Sequence, residues 1–222
     1  MNPNREILLV REVAKGLGHL SEKVVFVGGA TTALYITDSQ APKPTLTDDV
    51  DLVIEITSLN QYEALEKQLQ KLGFKRDPAN PGPLCRFKFK DIDVDIMPTE
   101  ERILGFSNRF YPEGIKNAIH ADAAGESVKI FSVPFFFASK LEAFQHRGPN
   151  DLRFSQDLED IIEVLDGRKE SAEEIKAAPF NVSQYIKERF SNLLSDEHLL
   201  QEAASGFLSA YGGLVTAKQR SV

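Results

Sequence analysis

Thr47-Asp48-Asp49-Val50-Asp51-Leu52-Val53-Ile54 sets carboxylates against aliphatic side chains from Asp49 onward. A strand sends every second side chain to the same face, so Asp49 and Asp51 share one face and Val50, Leu52 and Ile54 take the other. A second stretch, Asp91-Ile92-Asp93-Val94-Asp95-Ile96-Met97-Pro98, repeats the pattern and aligns Asp93 with Asp95. Segments this apolar belong in a buried sheet, where bare carboxylates are costly. Two like charges at ~4 Å repel by roughly 4 kcal/mol at an effective dielectric near 20. A divalent cation is the simplest compensation.

The surrounding sequence alternates strand and helix signals. Ile7 to Leu20 has near-helical apolar spacing. Val24 to Val27 reads as a short buried strand, Gly28-Gly29 breaks it, and Ala30 to Tyr35 restarts as a helix. A loop with Pro42 and Pro44 leads to a strand over Asp49 to Ile56. Ser58 is placed to cap a helix from Leu59 to Leu72, ending at Gly73. Leu84 to Phe89 and Ile92 to Met97 form a hairpin that turns at Lys90-Asp91, and Glu126 to Phe131 adds a strand. Ile103 to Gly125 gives no clear pattern. Helices are expected over Phe135 to His146, Leu152 to Leu165 and from Ser171 to about Ala210, with a loose tail from Thr216. The fold class is α/β (α+β): a mixed, twisted sheet with helices, followed by a helical C-terminal region. The expected division is an α/β domain over 1–132 and a helical domain over 133–222.

Composition narrows the function. The chain has 222 residues, 42% hydrophobic and 27% charged, as in ordinary globular proteins. It has no apolar run long enough for a membrane span, and its polar start lacks a signal-peptide pattern. Cys85 is the single cysteine, which excludes an internal disulfide and leaves no disulfide-linked partner expected; a reducing cytoplasm fits. Scattered histidines without His-Glu-x-x-His argue against a zinc hydrolase. A net charge of −7 argues against a protein that coats nucleic acid. The P-loop and protein-kinase patterns are absent.

Strand, Gly28-Gly29, helix, loop, Asp49-Val50-Asp51 and a further acid on a neighbouring strand make sense as two-metal chemistry. Glycines let a backbone approach phosphate closely, and a helix N-terminus offers N–H groups to an anion. Paired carboxylates hold metal on a triphosphate, and a third carboxylate, Asp93 or Asp95, completes the site and accepts a proton. Lys140 and Arg147 lie about two turns apart on one helical face, placed to meet phosphates. Asp157 and Asp160, one turn apart, can pair with Arg147.

These residues resemble the nucleotidyltransferase superfamily that includes DNA polymerase β, tRNA CCA-adding enzymes and aminoglycoside nucleotidyltransferases. Gly28-Gly29, Asp49-Val50-Asp51 and Asp95 carry the likeness. Thr47 is similar to the threonine often preceding the acidic pair, and Val94-Asp95-Ile96-Met97-Pro98 resembles the family strand, which favours Asp95 over Asp93. Lys140-Leu141-Glu142-Ala143-Phe144-Gln145-His146-Arg147, then Asp151 and Gln156-Asp157-Leu158-Glu159-Asp160, resembles AbiEii-type toxins and minimal nucleotidyltransferases. The resemblance implies Mg²⁺ (Mn²⁺ possible) at a two-metal site of Asp49, Asp51 and Asp95, with nucleotide held at Gly28, Gly29, Lys140 and Arg147. It also implies transfer of a nucleoside monophosphate from an NTP to RNA such as tRNA or to protein, with a cognate antitoxin as partner if the chain is a toxin. Alternatives are a small-molecule acceptor such as an antibiotic, or a catalytically weak nucleotide-binding or protein-interaction module. Departures from the family pattern are Gly-Gly-Ala where many members carry serine, and the acidic net charge.

Overall fold

The computed structural model describes residues 4–78, 82–147 and 155–195. Asp151, the start of the expected helix at Leu152 and everything beyond Ser195 lie outside them.

Six strands form one mixed sheet in the order β3-β4-β2-β1-β6-β5. They are β1 (Val24–Val27), β2 (Asp49–Ile54), β3 (Arg86–Phe89), β4 (Ile92–Pro98), β5 (Ile119–Ala123) and β6 (Glu126–Ile130). β2 runs antiparallel to β1 and parallel to β4, while β3 and β4 form the expected hairpin. β1 pairs in parallel with β6, and β5 closes that edge antiparallel to β6. Val50, Leu52, Val94, Ile96 and Phe87 fill the face opposite the aspartates and are at most 1% exposed. Burying each such side chain contributes about 1.5–3 kcal/mol.

Helix α1 (Arg5–Leu17) buries Glu6, Val10, Val13, Ala14 and Leu17 at helical spacing and stops at Gly18. It starts and ends earlier than its apolar pattern indicates, because Asn4 caps it and residues Gly18–Lys23 tighten into a 3₁₀ turn. After β1, Gly29–Thr31 form another 3₁₀ turn, and α2 (Thr32–Tyr35) is a single turn rather than the longer helix expected. α3 (Leu59–Lys71) is capped by the Ser58 hydroxyl, which accepts from the Gln61 N–H, and buries Tyr62, Leu65 and Leu69. Two short helices, α4 (Glu101–Leu104) and α5 (Tyr111–Lys116), occupy the stretch without a clear pattern.

α6 (Val133–Arg147) is buried on nearly all sides, and it packs against α7 (Gln156–Gly167), α8 (Ser171–Ala177) and α9 (Phe180–Ser195). An all-round apolar helix needs cover on every side, and Phe135, Phe136 and Phe137 receive it from the core. One hydrophobic cluster runs from Val10 on α1 to Ile186 on α9, joining sheet and helices. Buried Glu142 on α6 accepts from Tyr185 Oη at 2.7 Å and pairs with Arg109 at 3.3 Å. No helix among the described residues is long and apolar enough to cross a membrane.

The loop before β2 is pinned to α7. Thr37 and Asp38 donate backbone N–H groups to the Gly167 carbonyl, both at 2.9 Å. Thr45 donates its N–H to Glu163 at 2.8 Å and its hydroxyl to Glu159 at 2.7 Å.

Candidate active site

The parallel register of β2 and β4 sets Asp49 opposite Asp93 and Asp51 opposite Asp95. Four carboxylates therefore share one face of two adjacent strands. A cavity of about 290 Å³ opens on that face. Its walls hold Gly29, Thr47, Asp49, Asp51 and Asp95 from the sheet side, and Lys140, Arg147, Asp157 and Asp160 from the helices. Of the residues singled out in the sequence, Gly28 lies against Asp51 outside the lining, and Asp93, on the same strand face, lines a neighbouring cavity.

Asp51 is the least compensated acid. Among the described residues its carboxylate makes no hydrogen bond or ion pair. Burial first, then the charge of Asp49, pushes its pKa up to about 7, with Lys140 pulling the other way. Asp51 is half-buried and lines the cavity. Asp49 is better held: Thr47 Oγ1 donates to its Oδ1 at 2.6 Å.

Gly28 makes room for Asp51. Its φ is +74°, and a Cβ there would fall 2.0 Å from Asp51 Oδ2. Both conformation and space demand glycine. At Gly29 a Cβ would touch Asp160 Oδ2 at 3.4 Å, a tight but adjustable contact. The turn is locked by Thr31 Oγ1 donating to the Gly28 carbonyl at 2.8 Å, and Thr32 Oγ1 donates to Asp160 at 3.2 Å. The glycine pair thus seats a strand carboxylate and a helix carboxylate side by side.

Across the cavity, Lys140 Nζ lies 2.5 Å from Asp160 and 3.2 Å from Asp157. Burial opposes its charge, but Asp160 and then Asp157 outweigh that and raise its pKa. Arg147 Nη1 donates to Asp157 at 2.7 Å while its side chain stays 70% exposed at the cavity mouth. Lys140 is therefore an internal strut, and Arg147 an exposed cation at the cavity mouth.

Arg86 was passed over in the sequence. Its Nε and Nη2 each donate to Asp95 at 2.8 Å, and Nη2 lies 3.5 Å from Asp49. The hydrogen bond to Asp95 raises its pKa further above the normal arginine range. The signal was present: Arg86-Phe87-Lys88-Phe89 alternates cations with core aromatics beside Ile92-Asp93-Val94-Asp95. It needed the cross-strand register to be read.

Hard carboxylate oxygens suit Mg²⁺, and the unpartnered Asp51 beside Asp49 fits a divalent cation. Asp95 fits it less simply, since Arg86 takes both its oxygens. Among the described residues no three His, Cys, Asp or Glu side chains form a ready-made cluster for a metal.

The chain is similar in structure to the antibiotic-resistance factor ANT(2'')-Ia, with a TM-score of 0.52 at 14% identity over 87% of this chain and 97% of that one. It has a nucleotidyltransferase-like fold. An antigenic nucleotidyltransferase-like protein from Paracoccidioides brasiliensis is also similar, at TM-score 0.48 and 20% identity over 90% of this chain and 92% of that one. No family model and no curated protein sequence matches the chain. At these identities the likeness is one of fold, and the chemistry has to be argued from the residues.

Proposed function

We propose that this chain is a divalent-metal-dependent nucleotidyltransferase. The observation that carries the reading is Asp51, an unpartnered carboxylate placed beside Asp49 and opposite Asp95 at the floor of a cavity. Asp49, Asp51 and Asp95 would hold Mg²⁺, or Mn²⁺ in its place. When bound, the metal neutralises these acids and stabilises charge on the triphosphate. Gly28 and Gly29 let the turn approach the nucleotide. Arg147 supplies donors for phosphate oxygens. Lys140 holds Asp157 and Asp160, which frame the opposite wall.

In the reaction an acceptor hydroxyl oxygen bonds to the α-phosphorus of the NTP. The bond from that phosphorus to the oxygen bridging it to the β-phosphorus breaks, and pyrophosphate leaves. Asp95, once free of Arg86, takes the hydroxyl proton. We assign Asp93 outside this set, because it pairs with Lys88 at 3.3 Å and lines the neighbouring cavity rather than this one. In this reading a boundary near residue 132 separates the half that carries Asp49, Asp51 and Asp95 from the half that carries Lys140, Arg147, Asp157 and Asp160. A cytoplasmic setting with a reduced, buried Cys85 belongs to the same reading.

The Lys140 to Arg147 stretch and the helix after it support an RNA or protein acceptor and an AbiEii-like toxin role with a cognate antitoxin. A small-molecule acceptor is the second reading. It is favoured by the net charge of −7, which repels RNA phosphates, and by the fold shared with an antibiotic-resistance factor. The test supplies each labelled NTP with Mg²⁺ to total RNA, a protein pool and a panel of hydroxylated antibiotics. Label should enter one pool and vanish in the Asp49→Ala, Asp51→Ala double variant. Mg²⁺-dependent nucleotide binding by calorimetry with no label in any pool would point instead to a binding module.

A further inference from the structure

One planar cation spans three of the four acids on the sheet face. Besides the two bonds to Asp95 and the approach to Asp49, Arg86 Nη1 lies 3.8 Å from Asp93 Oδ2. Only Asp51 is left out. The placement is built into the backbone. A Cβ at Gly82 would fall 2.8 Å from Arg86 Cδ, so the glycine lets the stem lie close against the loop. The Arg86 N–H donates to the Pro83 carbonyl at 2.9 Å, and the Arg86 carbonyl accepts from Arg76 Nη1 at 2.8 Å.

A guanidinium fork and a divalent cation compete for the same lone pairs. Metal held by Asp51 and Asp95 would bring a second cation onto an Asp95 oxygen that already accepts from Arg86. A displaced guanidinium has somewhere to go. Asp93 sits two residues earlier on the same face of β4, and Arg86 and Asp93 both line a neighbouring cavity of about 640 Å³. The Arg86 side chain is already 32% exposed.

We propose that Arg86 is an exchangeable counter-ion that holds Asp95 before metal binds and transfers to Asp93 when Asp95 becomes a ligand. This rests on the reading of Asp49, Asp51 and Asp95 as the metal site. It gives the two neighbouring acids different tasks: Asp95 coordinates, and Asp93 receives the guanidinium.

The test uses Mn²⁺ alone, without nucleotide, on the full chain, with free Mn²⁺ counted by electron paramagnetic resonance. Asp51→Asn locates the site and should abolish binding; if it binds like wild type, the metal-site reading fails and the exchange with it. Arg86→Gln should tighten Mn²⁺ about tenfold, and Arg86→Lys about threefold, an effect within the range of one charge-assisted contact. Lysine keeps the charge but loses the planar fork, so repulsion through space alone predicts no gain for Arg86→Lys. Unchanged or weaker binding in Arg86→Lys, with Asp51→Asn still inactive in binding, overturns the exchange and leaves the metal site standing. If either Arg86 variant does not fold, the wild-type protein carries the test. The Arg86 Nε–H resonance should shift and exchange faster with water as Mg²⁺ is added. A resonance that does not move through saturation overturns the proposal.

Discussion

Two clusters of charge face each other across one cavity, and they are wired differently. On α6 and α7, Asp157 and Asp160 share Lys140, and Asp157 also has Arg147. Each acid there has a cation at hydrogen-bonding distance. Of the four acids on β2 and β4, Asp49, Asp93 and Asp95 share Arg86 and Lys88, and Asp51 pairs with neither. The balanced cluster fixes geometry, because breaking a buried pair is expensive. The unbalanced one keeps a demand for positive charge at Asp51 that a proton or a cation can meet.

The largest effect should separate the two clusters by kind of damage. Asp51→Asn should lower transfer by roughly a thousandfold, the scale of several kcal/mol of lost charge stabilisation. The same variant should melt no lower than wild type. A melting point well below wild type would make Asp51 a structural residue like its counterparts on α7. Lys140→Met should do the reverse and destabilise by about 3–5 kcal/mol, because Asp157 and Asp160 are left buried and less compensated. Urea unfolding measures it, and a loss below about 1 kcal/mol would refute the strut.

Between these lies Gly28→Ala, which sets a methyl against the Asp51 carboxylate at a strained φ and should cost about 3 kcal/mol. Gly29→Ala should cost clearly less, since its methyl would meet Asp160 only at 3.4 Å, close to ordinary van der Waals contact. Equal losses in the two melts would mean that proximity to Asp51 is not what selects Gly28.

The smallest effect is a pH slope. Asp51 has a raised folded-state pKa, so the folded chain binds its proton more tightly than the unfolded chain does. Stability without metal should therefore fall as pH rises from about 4 to about 7. At pH 8, Asp51→Asn should be the more stable protein by about 2 kcal/mol. At pH 4 the difference should disappear, and Mg²⁺ should remove it at pH 8. A difference that stays constant across this range would show that Asp51 is not stressed.

The strands carrying the acids were legible because alternation is strict there and the opposite face is fully apolar. β5 was not, since its side chains are mostly exposed and Ile119-His120-Ala121-Asp122-Ala123 leaves no buried face to detect. The turn after Gly28-Gly29 read as a longer helix because helical propensity carries no information about the Asp160 carboxylate that packs on it. Lys140 and Arg147 share a helical face as their spacing requires, but depth separates them, and depth depends on what covers the helix. Arg86 escaped notice for a related reason: its importance is a property of strand register, and a single strand does not display its neighbour.

The loop that ends at Thr47 is fastened to α7 by Thr45 and by the Gly167 carbonyl, and Thr47 in turn fixes Asp49. Any shift of α7 that accommodates a bulkier acceptor is thereby passed along the loop to the hydroxyl that orients Asp49. In the proposed reading, acceptor choice and metal geometry are mechanically linked through the loop of residues 37–47. Variants selected for a new acceptor should gather at this fastening as well as at the cavity wall.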